Sequence, residues 1–181
     1  GRYQVFEPAM HDTALQRLEL KADLQRAVDN GEFVLHYQPV IELATGRIEG
    51  VEALVRWQHP QLGLVSPSEF IPLAEDTGLI VPIGEWVLRT ACSQGRRWRD
   101  QGFAPIRIAV NISARQFHDQ DLSQTVIRIL EETGLSPNYL ELELTESSIM
   151  QNAEFVSGML SRLKNMGINI SIDDFGTGFS S

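Results

Sequence analysis

The sequence has 181 residues, 43% of them apolar, and a formal net charge of -9. That length and apolar content suit one domain, or part of a larger one, with a sizeable core; the acidic balance argues against duplex nucleic acid, which is held by basic stripes, but leaves room for a small phosphate ligand held through metal ions. The single cysteine, Cys92, excludes an internal disulfide and a Cys-rich zinc site, no apolar run reaches the roughly 18 residues of a membrane span, and residues 1–10 lack a signal-peptide shape, so the chain is expected to be cytoplasmic, with any membrane anchor left to a longer parent protein.

Tyr3–Phe6 reads as a short strand tail ended by Glu7-Pro8. Asp12 is a candidate cap for a helix running to Asn30, with Gly31 as its C-terminal stop. Phe33–Leu43 alternates as a strand, Ala44–Arg47 is a turn, and Ile48–Trp57 is a second strand; so short a connection demands an antiparallel pair. Helices are predicted at Ser68–Glu75 and Val81–Gln101, with Pro67 at the first turn and Gly102 after the last. Pro105–Ser113 is a strand, Asp121–Thr133 a helix, Tyr139–Thr145 a strand, Ala153–Asn165 a helix and Ile168–Asp173 a strand. This alternation predicts right-handed crossovers and a parallel sheet.

Side-chain parity sorts the faces. Ile106, Ile108, Val110 and Ile112 oppose Ala109, Asn111 and Ser113; Leu140, Leu142 and Leu144 oppose Glu141 and Glu143; Ile168, Ile170 and Ile172 oppose Asn169, Ser171 and Asp173. In the second strand Glu52, Leu54 and Arg56 share a face opposite Val51, Ala53 and Val55. One face is aliphatic and suits helix packing; the other becomes polar toward its C-terminal end, as in a (β/α) barrel with its active site at the C-terminal mouth. A one-sided antiparallel sheet would also alternate, but the intervening helices argue against it.

Glu52, Asn111 and Glu143, with Asp173 and Asp174, are hard oxygen donors that suit Mg²⁺ or Mn²⁺ rather than zinc. An unpaired buried carboxylate costs several kcal/mol in effective terms, so carboxylates directed at one spot call for a counter-charge. Consecutive aspartates would help to hold two cations, the arrangement that activates water and stabilises an in-line phosphoryl displacement. Asp174 joins Asp173 only if the strand ends there, which the glycines of Phe175-Gly176-Thr177-Gly178 permit. Any one of these acids alone could be a solvated strand end. Asp-Phe-Gly also occurs in protein kinases, but neither a Gly-rich phosphate loop nor a His-Arg-Asp catalytic loop precedes it. His11, His36, His59 and His118 lack metal-ligand spacing; His36 shares parity with Gln38. Cys92 reads as a core residue, and Arg96, Arg97 and Arg99 as a solvated helix face.

Five motifs occur in order: Tyr37-Gln38-Pro39, Glu52-Ala53-Leu54-Val55-Arg56, Asn111-Ile112-Ser113, Glu143-Leu144-Thr145-Glu146 and Asp173-Asp174-Phe175-Gly176-Thr177-Gly178. Together they resemble the EAL domain family, the cyclic di-GMP phosphodiesterases of bacterial signalling, from about Leu20 to the C-terminus. The resemblance implies an α/β fold, a TIM-like (β/α) barrel with one antiparallel strand, truncated here before its last strands. It implies that Glu52, Asn111, Glu143 and Asp173 bind a first Mg²⁺ or Mn²⁺ and that Asp173 and Asp174 hold a second. Gln38, Leu54 and Arg56 would contact cyclic di-GMP, and Glu146 would anchor the loop starting at Asp174, used for metal binding and dimer coupling. Glu52, Asp173, Asp174 and Glu146 are the expected catalytic set, for hydrolysis to linear pGpG.

The opening stretch resembles the end of a GGDEF domain, so residues 1–13 are expected to be the tail of a preceding module and linker, and 14–181 an incomplete EAL domain. A homodimer through EAL domains and an upstream GGDEF or sensory domain in the longer protein are the implied partners. The family barrel continues with a lysine strand, a later metal-linked glutamate and closing strands; Lys21 and Lys164 are the only lysines here, and both lie on predicted helices. The 181-residue chain alone is therefore expected to have little activity. The competing reading is a non-catalytic module that binds cyclic di-GMP or docks a protein.

Overall fold

The computed structural model describes residues 8–119, 122–145 and 153–173. Its elements are α1 (Pro8–Asn30), β1 (Phe33–Ile41), β2 (Ile48–His59), β3 (Gly63–Val65), α2 (Pro67–Thr77), α3 (Ile80–Asp100), β4 (Arg107–Ile112), α4 (Ala114–Asp119), α5 (Leu122–Thr133), a 3₁₀ turn (Pro137–Tyr139), β5 (Leu140–Thr145), α6 (Ala153–Asn165) and β6 (Asn169–Asp173). The strand tail expected at Tyr3–Phe6 lies outside the described residues, as do Glu146 and Asp174.

One mixed sheet has the order β1-β2-β4-β5-β6, with β3 pairing onto β2. β1 and β2 form the expected antiparallel hairpin, with Gln38 opposite Glu52 and His36 opposite Leu54. The pairs β2–β4, β4–β5 and β5–β6 are parallel, as the strand–helix alternation requires. Among the described residues the sheet is an open segment of barrel wall, with β1 and β6 at its edges.

The aliphatic faces of β4 and β5 are buried. Ile108, Val110, Leu140, Leu142 and Leu144 are each at most 1% exposed, and burial of each such side chain stabilises by roughly 1.5–3 kcal/mol relative to exposure. Helix α3 covers this face with Ile80, Ile83, Val87, Leu88, Ala91 and Cys92, a 3.6-residue stripe. Gly95 continues the stripe without a side chain because a Cβ there would lie 2.5 Å from Ile108 Cδ1. Helix α5 adds Leu122, Val126, Ile129 and Leu130 and is tied to α3 by charge. Glu85 accepts from Arg89 and Arg128, each at 2.9 Å, and Arg89 also pairs with Glu132.

A second anchor joins α1 to the β2–β3 turn. The buried His59 accepts the Gln61 and Leu62 N–H groups at Nδ1, both at 3.1 Å. That leaves the proton on Nε2, which donates to Asp23 at 3.0 Å. Beside it Trp57 Nε1 donates to Glu32 at 3.0 Å, and this hydrogen bond holds the Glu32 carboxyl below its usual range.

Several boundaries differ from expectation for identifiable reasons. Helix α1 starts at Pro8 rather than at an Asp12 cap, since proline fits a first helical turn as well as it ends a strand. β1 stops at Ile41, where the chain closes through Glu42 N–H to the Arg47 carbonyl at 2.9 Å. β3 is three residues long and too short to give a period. Helix α4 begins on a Ser-x-x-Gln capping box, in which Gln116 Oε1 accepts the Ser113 N–H at 2.9 Å.

Candidate active site at the strand ends

Residues in register on parallel strands share a face, and register places the polar inner-face residues in levels. At one level Gln38, Glu52, Ala109, Glu141 and Asn169 run across β1, β2, β4, β5 and β6. One step toward the C-terminal ends of the parallel strands, Asn111, Glu143 and Ser171 align on β4, β5 and β6. The two levels meet where Asn111 Nδ2 donates to Glu52 Oε1 at 2.7 Å. The bond leaves Asn111 Oδ1 as a second oxygen beside the carboxylate. Glu52, Asn111 and Glu143, far apart in sequence, are thus gathered by three adjacent parallel strands.

The next level pairs Thr145 with Asp173, which enters β6 by its backbone. The Asp173 side chain lies outside the described atoms, and Asp174 and Glu146 outside the described residues. Among the described residues no three His, Cys, Asp or Glu side chains group to hold a metal. The donors that are described fit a divalent cation by chemistry: two carboxylates and an amide oxygen are the hard oxygens Mg²⁺ and Mn²⁺ select.

Beside these donors lies a cleft of about 290 Å³ lined by Leu54, Arg56, Asn111 and Thr145 from the strands and by Pro67, Ile71 and Glu75 from α2. It falls near the small end of the range for ligand clefts. Arg56 Nη1 rests on the Val55 carbonyl at 2.8 Å, which leaves its other guanidinium donors for an anion. Gln38 is exposed on the edge strand, and so is His36 on the same face. Cys92 is buried in the core, where burial pushes its thiol up to about 12. Arg96, Arg97 and Arg99 are exposed on α3, with Arg99 4.5 Å above the Tyr139 ring.

Sequence reasoning passed over the support of the β4 loop. Ser113 Oγ donates to Glu75 Oε1 at 2.6 Å, and Arg115 donates to the Glu75 carbonyl. These bonds tie the residues just after Asn111 to the end of α2, which Gly78 closes in the left-handed region at φ 82°. Gln116, 4% exposed, packs against Gly84 while capping α4. The Ser-x-x-Gln spacing signalled the cap; nothing in the linear sequence signalled the partner Glu75. Ser171 carries the remaining anomaly. Its Oγ is the one buried side-chain oxygen or nitrogen without a hydrogen-bond partner among the described residues.

Residues 21–181 match the family model described as EAL domain. The bifunctional diguanylate cyclase/cyclic di-GMP phosphodiesterase MucR of Pseudomonas aeruginosa is 50% identical over 179 residues, 99% of this chain and 26% of that protein. The cyclic di-GMP phosphodiesterase PdeR of Escherichia coli is 41% identical over 181 residues, 100% of this chain and 27% of that protein. Among solved structures, the PaMucR phosphodiesterase in its c-di-GMP complex superposes with a TM-score of 0.84 at 51% identity, covering 92% of this chain and 66% of that one. The chain spans about a quarter of the length of the curated relatives it matches.

Proposed function

Because the chain belongs to the EAL domain family, we propose that the protein carrying it hydrolyses one phosphodiester bond of cyclic di-GMP to give linear pGpG. The observation that carries this reading is the Glu52–Asn111 contact, with Glu143 one strand away, at the edge of a cleft lined by Leu54 and Arg56.

In this reading Glu52, Asn111, Glu143 and Asp173 hold a first Mg²⁺ or Mn²⁺, and Asp173 with Asp174 a second. Cations bound there supply polarisation of the phosphoryl oxygens and a deprotonated water for in-line displacement. The chain's own residues do the rest. Asn111 orients the Glu52 carboxylate through its amide, and the Glu75–Ser113 bond holds the end of β4 beneath it. Arg56 turns its guanidinium to a substrate phosphate, for which its fork geometry is suited. Leu54 gives an apolar floor to the bound dinucleotide, and Gln38 reaches it from the edge strand. Glu146 anchors the loop from Asp174.

We also assign residues 1–13 to the tail of an upstream GGDEF-like module, residues 14–181 to the EAL domain, and a homodimer to the assembled protein; MucR, by its name, is both cyclase and phosphodiesterase. No helix among the described residues is long and apolar enough to cross a membrane. On the nucleotide nature of the proposed substrate, and not on that absence, we assign the reaction to the cytoplasm. Calorimetry on the full-length protein with cyclic di-GMP, with and without Mg²⁺, tests the proposal. Heat of turnover that requires the metal supports it. Metal-independent binding without turnover would reassign the protein as a receptor, and the absence of both would leave only a docking role.

A further inference from the structure

A buried hydroxyl with no partner is costly, and one facing a polar site is rarely idle. Ser171 Oγ is in that position: fully covered, unbonded, and on the inner face of β6. Its neighbour in register on β5 is Glu143, itself in register with Asn111 on β4. Registered neighbours stand one strand spacing apart, roughly 4.8 Å, within the reach of a glutamate side chain.

We propose that Ser171 is a positioning residue, whose hydroxyl donates to the Glu143 carboxylate when Glu143 turns to ligate a divalent cation. The inference rests on the metal reading given above and deepens it. A carboxylate ligand has two oxygens; one faces the cation, and the other must be held by a donor if the ligand is to keep its orientation. Asn111 on β4 supplies that donor to Glu52 on β2. On β6 Ser171 is the residue directly in register with Glu143, and its hydroxyl has no hydrogen-bond partner among the described residues. The cost of leaving it unpaired in the metal-free state is recovered when the cation binds. This couples metal affinity to the hydroxyl and predicts opposite effects of its removal on stability and on affinity.

The test uses full-length protein stripped of metal, with Mn²⁺ alone as the probe, followed by the electron paramagnetic resonance signal of free Mn²⁺. Ser171→Ala should weaken the Mn²⁺ dissociation constant by about tenfold, the low end of what loss of an outer-shell donor costs. Its metal-free melting temperature should stay unchanged or rise, because an unpaired hydroxyl has been removed. Ser171→Thr, which keeps the hydroxyl, should bind within about threefold of wild type on the same scale. Mn²⁺ affinity of Ser171→Ala within twofold of wild type overturns the proposal, and so does a loss of affinity accompanied by a lower metal-free melting temperature. Wild-type protein that fails to bind Mn²⁺ would instead sink the metal reading itself, so the two failures are distinguishable.

Discussion

Glu52 and Arg56 lie on the same face of β2 yet should fail differently when removed. Glu52 is bonded to Asn111 among the proposed metal donors, so Glu52→Ala should reduce turnover by more than the roughly 10–100-fold that loss of a supporting group costs, with KM little changed. Arg56 lines the cleft and has donors to spare. Arg56→Ala should raise KM about tenfold or more, the scale of a lost hydrogen bond to a charged group, while kcat stays within about threefold. Steady-state kinetics on the full-length protein separates the two; wild-type kcat in Glu52→Ala would make the metal assignment wrong. Period-two alternation was enough to put Glu52, Asn111 and Glu143 on one face, because a strand's side chains have no other choice. It could not reveal the unpaired state of Ser171 or the Glu75–Ser113 bond, since both depend on which atoms the fold brings near.

At the level of elements, helix packing on the aliphatic face positions the site. Leu142 is 1% exposed at the centre of β5, one residue before Glu143. Leu142→Ala should cost about 2–5 kcal/mol in urea denaturation of the cooperative unit containing it, with the m-value unchanged. The α3–α5 clamp gives a pH test. Hydrogen bonds from Arg128, and then Arg89, hold the Glu85 carboxyl below its ordinary value of 4.5. A depressed carboxyl contributes stability above its unfolded value and loses it as pH falls through the folded one. Glu85→Gln should therefore be less stable than wild type at pH 7 by up to about 1 kcal/mol, the difference closing in acid; a gap that stayed constant down to pH 3 would contradict the clamp. Long elements were legible because α3 and the parallel strands each repeat a period several times. The three-residue β3 and six-residue α4 do not, and the start of α1 was hidden by a proline that fits two roles.

For the molecule as a whole, the order β1-β2-β4-β5-β6 is what turns scattered polar residues into a site. The hairpin reverses β1 and brings Gln38 level with Glu52, while each parallel crossover returns the chain so that its C-terminal end meets the same mouth. The TIM-like α/β architecture expected from the residue pattern is shared with the PaMucR phosphodiesterase at a TM-score of 0.84, and the open wall seen here is the part of that barrel carrying the proposed acids. The account's central claim is that these inner-face donors make a metal-dependent phosphodiesterase of the full-length protein. Its most direct test is chromatographic measurement of pGpG formed from cyclic di-GMP with Mn²⁺, with Mn²⁺ chelated, and with Glu52→Ala. The account predicts steady production of pGpG in the first case and loss of it in the other two. Equal pGpG formation in all three, or none in the first with the protein folded and cyclic di-GMP bound, would contradict it.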